Sequence, residues 1–266
     1  MAIMNQTENV KQQFSSDKNL TIRINFYKKY STNKLGFTDW LFDKYCFTEK
    51  NAILELGCGN GCQWEGRIGR LPKACKLFLS DFSNGMVNAV KEKYPHHRHE
   101  NVYSQIIDIQ SIPFRDQSFD VVIANHMLFH VLDLDKALTE VRRVLKIGGC
   151  FYSATDGNGG MRPFLHKAIK KFDPESKAFT EKIPFNLQNG REILKRYFSF
   201  VERFDYENVL AITETQDLME WLKSTNSISG YSEVNLVNLY EYFEAIRRMD
   251  GAINIPRETG LFVSTK

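Results

Sequence analysis

Apolar residues come in short runs separated by amphipathic stretches along most of the chain. The runs at 52–56, 75–79, 102–107, 119–124 and 150–154 are too short for helices and read as strands buried on both faces. Between them, 83–94 and 134–145 carry apolar positions at helical spacing, and 63–70 reads as a shorter helical segment. Strands that alternate with helices predict a parallel sheet covered on both sides. Ahead of this alternation, 20–30 and 37–46 read as helices with aromatic faces, parted by Gly36. Past Asp156 the rhythm breaks. Residues 157–160 form a loop, and 161–188, rich in Lys and Phe with helical pieces, read as an inserted cap. The strand pattern returns at 200–212 and closes at 261–265 after the breaker Gly260, with helical segments at 215–224 and 235–249 between. The expected organisation is an N-terminal helical lid (1–50), an α/β core (51–156), a cap insertion (157–195) and the completion of the core (196–266).

A chain of 266 residues suits one domain carrying a cap. With 42% hydrophobic and 25% charged residues it has the composition of a soluble globular protein. A formal charge of only +3 provides no basic field for nucleic acid. The five cysteines contain no C-x-x-C pair, so reduced thiols in a cytoplasmic protein are expected, without zinc or a disulfide framework. Residues 1–17 are polar, and no run approaches the roughly 18 apolar residues of a membrane helix. No membrane partner is expected.

The chemistry begins at Glu55-Leu56-Gly57-Cys58-Gly59-Asn60-Gly61, directly after the first strand. In open α/β sheets ligands bind at the carboxyl ends of strands, and glycine there lets backbone approach them closely. A dinucleotide fingerprint needs G-x-G-x-x-G, but Gly61 comes one place early and Cys62 fills the third position, which argues against NAD. Asp81, at the end of the second strand, can accept both hydroxyls of a ribose, or with Ser83 it can cap the next helix. His96, His97 and His99 follow Pro95 in a loop, where adjacent side chains point apart; a solvated surface fits them better than a metal site.

These motifs resemble class I S-adenosylmethionine (SAM)-dependent methyltransferases, in the branch that acts on small molecules. The resemblance is carried by Glu55-x-Gly57-x-Gly59-x-Gly61, then Asp81-Phe82-Ser83-Asn84-Gly85-Met86, then Asp108-Ile109. Pro113-Phe114-x-Asp116-x-Ser118-Phe119-Asp120 and Arg143-Val144-Leu145-Lys146-x-Gly148-Gly149 continue it, so that it spans residues 53–155 in order. It implies a Rossmann-like doubly wound α/β sheet, mostly parallel with an antiparallel last strand, plus a helical cap. SAM is the implied cofactor, held by Glu55, Gly57, Cys58, Gly59, Asp81, Phe82, Asp108, Ile109 and Asn125, with Met86 packing on adenine and Tyr30 covering the site. The implied catalytic positions follow strands four and five. His130 is the preferred base candidate, His126 a weaker one, and Asp156 can orient a substrate or serve the turn with Gly157. The expected activity is methyl transfer to an O, N or C atom of a small-molecule acceptor. The alternatives are a non-catalytic SAM-binding sensor or scaffold, and a methyltransferase acting on a macromolecule.

Overall fold

The computed structural model describes residues 18–228 and 230–266. Residues 1–17, read above as a polar part of the N-terminal lid, lie outside the described residues. Helices α1 (Lys18–Tyr30) and α2 (Phe37–Lys44) lead into β1 (Ala52–Leu56), β2 (Lys76–Asp81) and α3 (Asn84–Lys93). Next come β3 (Val102–Ile106), β4 (Phe119–Ile123), α4 (Leu134–Val144) and β5 (Leu145–Asp156). The chain continues through α5 (Met161–Ile169), α6 (Gly190–Leu194) and β6 (Phe200–Ile212). It ends with α7 (Thr215–Lys223), α8 (Glu233–Asp250) and β7 (Ile253–Thr265).

The seven strands form one sheet in the order β3-β2-β1-β4-β5-β7-β6. The first five are parallel to their neighbours, while β7 runs antiparallel between β5 and β6. β1 is an interior strand, and its alternate residues pack on opposite faces: Leu54 and Leu56 in one core, Ile53 in the other. The amphipathic α4 covers the first face with Ala137, Leu138, Val141 and Val144, and Asp133 caps its start by accepting from Lys136 N at 2.9 Å. Leu41 and Phe42 of α2 and Val90 of α3 cover the second. This is the doubly wound α/β fold expected.

The sheet is longer on one side than the pattern predicts. Pairing of β5 with β7 stops at Asp156↔Thr259, but β6 and β7 stay paired out to Ile212↔Ile253. The result is a two-stranded ribbon projecting past the carboxyl end of β5. Its Leu210, Ile212, Ile253 and Ile255 nucleate a third core with α1, α5, α7 and α8, including Phe26, Leu165, Leu218 and Phe243. The helices α7 and α8 therefore pack with α1 and α5 against this ribbon.

Three local readings change. Residues 63–70 form two short 3-10 turns, Cys62–Trp64 and Ile68–Arg70, because Gly66 takes φ +71° and ends any α-helix. β5 begins at Leu145, ahead of the Gly148-Gly149 pair, across a register shift against β4. β7 begins at Ile253 rather than 261. Pro256 is tolerated there because β7 has no β5 neighbour at that point, and Gly260 lies inside the strand. A Cβ at Gly260 would come 2.4 Å from Phe204 O, so this glycine permits close strand approach rather than breaking the strand. No helix among the described residues is long and apolar enough to cross a membrane.

Candidate active site

The carboxyl ends of β1, β2, β4 and β5 open onto a cavity of about 1380 Å³, which residues of α1 and of the stretch 157–183 also line. One half is built on the glycine turn. Gly57 and Gly59 adopt φ +68° and +56°, and a Cβ on them would come 2.8 Å from Met127 and Leu20 side-chain atoms. The turn is tied to β2: Cys58 N donates to Ser80 O at 2.8 Å, and Gly59 N donates to Asp81 Oδ2 at 2.9 Å. Asp81 Oδ1 accepts from Ser83 N at 2.8 Å, while Ser83 itself caps α3. Both roles weighed for Asp81 are thus compatible, since its carboxylate holds the turn and still lines the cavity. Burial raises its pKa.

Glu55, Gly57, Cys58, Gly59, Asp81, Phe82, Asp108, Ile109 and Asn125 all line this cavity, as do His130 and Asp156. Asp108 Oδ1 accepts from the Gln110 backbone at 2.9 Å. Asn125 is engaged on three sides: its Nδ2 donates to Tyr45 Oη and Gln63 Oε1 at 2.7 and 2.8 Å, and its Oδ1 accepts from Ala154 N at 3.1 Å. Burial pushes the Cys58 thiol far above its ordinary pKa, which leaves it an inert wall.

Two expected contacts are absent from the wall. Met86 is fully buried beneath the first turn of α3, and Phe82 takes the exposed place. Tyr30 faces the third core and donates to Asp217 at 2.6 Å. The phase of α1 explains this: Phe26 and Tyr30 share its inner stripe, while Leu20, Ile24 and Tyr27 face the cavity. Phe164 packs on Phe243 and Phe172 on Tyr242, whereas Met161, Arg162 and Phe179 reach the cavity.

Glu55 is 2% exposed, accepts a hydrogen bond from the Trp64 indole, and is pushed by burial up to about 7. A carboxyl whose folded pKa is raised stabilises the fold fully below its unfolded value of 4.5 and loses that contribution as pH rises through about 7. Glu55→Gln should therefore gain about 2–4 kcal/mol relative to the wild type between pH 4.5 and 8. Urea denaturation across that range checks it; a pH-independent difference would contradict it.

The other half of the cavity holds His126, His130 and Asp156. His130 sits on the turn Leu128–His130 with its ring 4.5 Å from that of Phe129. His126 departs from ordinary geometry twice. Its φ is +51°, uncommon for a residue other than glycine, and its Nε2 is buried without a hydrogen-bond partner among the described residues. Its Nδ1 lies 3.9 Å from Asp156 Oδ1, and its backbone N donates to Ala154 O at 2.8 Å. Burial lowers its pKa, opposed by Asp156 and reinforced by Arg257, so the ring is neutral near pH 7. Asp156 is thus brought to His126, the histidine that sequence reasoning ranked second. Arg23, Tyr27 and Arg257 also line this half and carried no sequence signal beyond the helical phase of α1. Among the described residues no cluster suited to a metal is formed; His96 and His99 instead pack on Tyr103 and Tyr94.

A glycine turn without room for side chains, beside carboxylates at the ends of β1, β2 and β3, matches the needs of a nucleoside with a cationic tail. Residues 54–153 match the methyltransferase domain family. This stretch is a class I SAM-dependent methyltransferase domain. An uncharacterised methyltransferase-like protein of Schizosaccharomyces pombe is 29% identical over 136 residues, 51% of this chain and 50% of that protein. A malonyl-[acyl-carrier protein] O-methyltransferase of Bacillus anthracis is 26% identical over 88% of this chain and 76% of its own length. The chain thus spans about half the length of the first relative and about three quarters of the second. Among solved structures, a Haemonchus contortus phosphoethanolamine N-methyltransferase in complex with S-adenosylhomocysteine superposes with TM-score 0.52 at 19% identity. That match covers 94% of this chain and 52% of that one, and it speaks for the fold. Residues of the matched stretch 54–153 line the cavity together with residues of α1 and of 157–183.

Proposed function

We propose that the chain transfers a methyl group from SAM to an O, N or C atom of a small-molecule acceptor. The observation that carries this reading is one continuous cavity that runs from the glycine turn to His126 and Asp156 beneath a helical roof. In this reading α1, α2 and the stretch 157–195 act as lid and cap over the core. Gly57 and Gly59 receive the cofactor against bare backbone, Asp81 accepts from its ribose, and Asp108 and Ile109 flank its base. The cofactor, when bound, supplies an electrophilic methyl on a sulfonium and leaves as a neutral thioether.

The chain itself has mainly to hold the acceptor in line and exclude water, a positioning effect. Where the nucleophile carries a proton, neutral His126 takes it at Nε2 and Asp156 steadies the opposite ring nitrogen as the imidazolium forms. His126 replaces His130 as the preferred base because it joins a buried unpaired nitrogen to a neighbouring carboxylate. The test incubates the protein with methyl-labelled SAM and a cell extract separated into small-molecule and macromolecular fractions. Label in the small-molecule fraction supports the proposal. Label confined to macromolecules, or cofactor binding without transfer, would select one of the alternatives instead.

A further inference from the structure

Arg257 lies on the ribbon of β7 beyond the end of β5, opposite Asn208, and lines the half of the cavity that holds His126. Its guanidinium lies 4.1 Å from the Tyr27 ring centroid and 5.0 Å from that of Phe37. Phe37 in turn lies 5.3 Å from the His126 ring. The cation is therefore seated against aromatic rings within reach of the candidate base.

The neighbouring carboxylates make no ion pair with Arg257. Asp156 faces His126 at 3.9 Å, and Glu181 pairs with Arg162 at 2.8 Å. Glu258 accepts from Gly159 N and from Gln188 Nε2 at 2.6 Å. The Arg257 guanidinium makes no hydrogen bond or ion pair with any described residue. Five donors in a fixed fork, half-buried in a cleft and provided with no acceptor, are an arrangement that a planar oxyanion completes bidentately. Arg23 lines the same wall and adds a second positive charge.

We propose that the methyl acceptor is an oxyanion, a carboxylate or phosphate, whose charged group docks on Arg257 and whose apolar part lies against Tyr27 and Phe37. The assignment rests on the methyltransferase reading above and deepens it by naming the acceptor's chemistry. Arg257 is then a specificity residue that fixes the acceptor's register relative to His126.

The test uses three probes of one shape, benzoate, phenyl phosphate and benzyl alcohol, titrated by ligand-observed NMR into protein loaded with S-adenosylhomocysteine. At least one anion should bind about 10-fold more tightly than the neutral probe, and the tighter anion identifies the group. Arg257→Gln should reduce that preference to within about twofold while leaving affinity for S-adenosylhomocysteine unchanged. Should Arg257→Gln fail to fold, Arg257→Lys carries the test, its preference falling between that of the wild type and unity. Benzyl alcohol binding as well as both anions, or a preference that either substitution leaves undiminished, would overturn the proposal. Repeating the titration without cofactor separates the two readings: an anion site dependent on Arg257 in a protein that refuses S-adenosylhomocysteine would sink the methyltransferase reading alone.

Discussion

His126→Asn should lower methyl transfer by about 10²–10⁴-fold while leaving SAM affinity within a factor of about two. Asparagine keeps hydrogen-bonding capacity but cannot titrate, so the loss reports proton transfer rather than packing. His130→Asn, on the same cavity wall, should cost far less, because Asp156 faces His126. The pH profile supplies a second readout. Because burial lowers the folded pKa of His126, activity should rise with pH through a midpoint below the ordinary histidine value and stay level above it. That acid limb should vanish in the asparagine variant. Stability follows the same sign: the neutral ring's contribution is fully present above the unfolded value and is lost as pH falls through the lowered folded one. Turnover within twofold of wild type at saturating substrate would mean that positioning suffices without a base.

Asp81→Ala should weaken SAM and its demethylated product in parallel, by about 10- to 150-fold, since hydrogen bonds to a charged acceptor contribute about 1.5–3 kcal/mol. The product shares the ribose and lacks only the methyl and its positive charge, so a common loss locates the effect at the sugar. The carboxylate also accepts from Gly59 N and Ser83 N, and its removal should cost about 1–3 kcal/mol of stability as well. Asp81→Asn, whose amide oxygen still accepts one bond, should fall between. Calorimetric titration of folded variants checks both effects, and unchanged affinity in a folded alanine variant would remove the ribose role.

The parallel half of the sheet was legible in the sequence because interior strands such as β1 and β4 are largely buried and leave short apolar runs at 52–56 and 119–124. The β6–β7 ribbon was only half legible. Pro256 and Gly260 look like breakers, yet the first lies where β7 lacks one neighbour and the second lets Phe204 backbone approach. The glycine turn and Asp81 could be read because their chemistry is local: a turn between strand and helix and a carboxylate at a strand end. Met86 and Tyr30 could not be placed, since each depends on which face of a helix turns inward, and that is set by distant packing partners. His126 outranks His130 only through its left-handed backbone and its approach to Asp156, thirty residues later in the chain. Arg257 is a hundred residues beyond Asp156 and reaches the same cavity solely because the ribbon overshoots β5.

The central claim, that the cavity beside Gly57, Gly59 and Asp81 is a SAM site, is tested most directly by isothermal titration of the wild-type protein with SAM, S-adenosylhomocysteine and NAD. The account predicts saturable one-to-one binding of the first two and none of NAD. Binding of NAD by a folded protein that takes up neither SAM nor its product would contradict it.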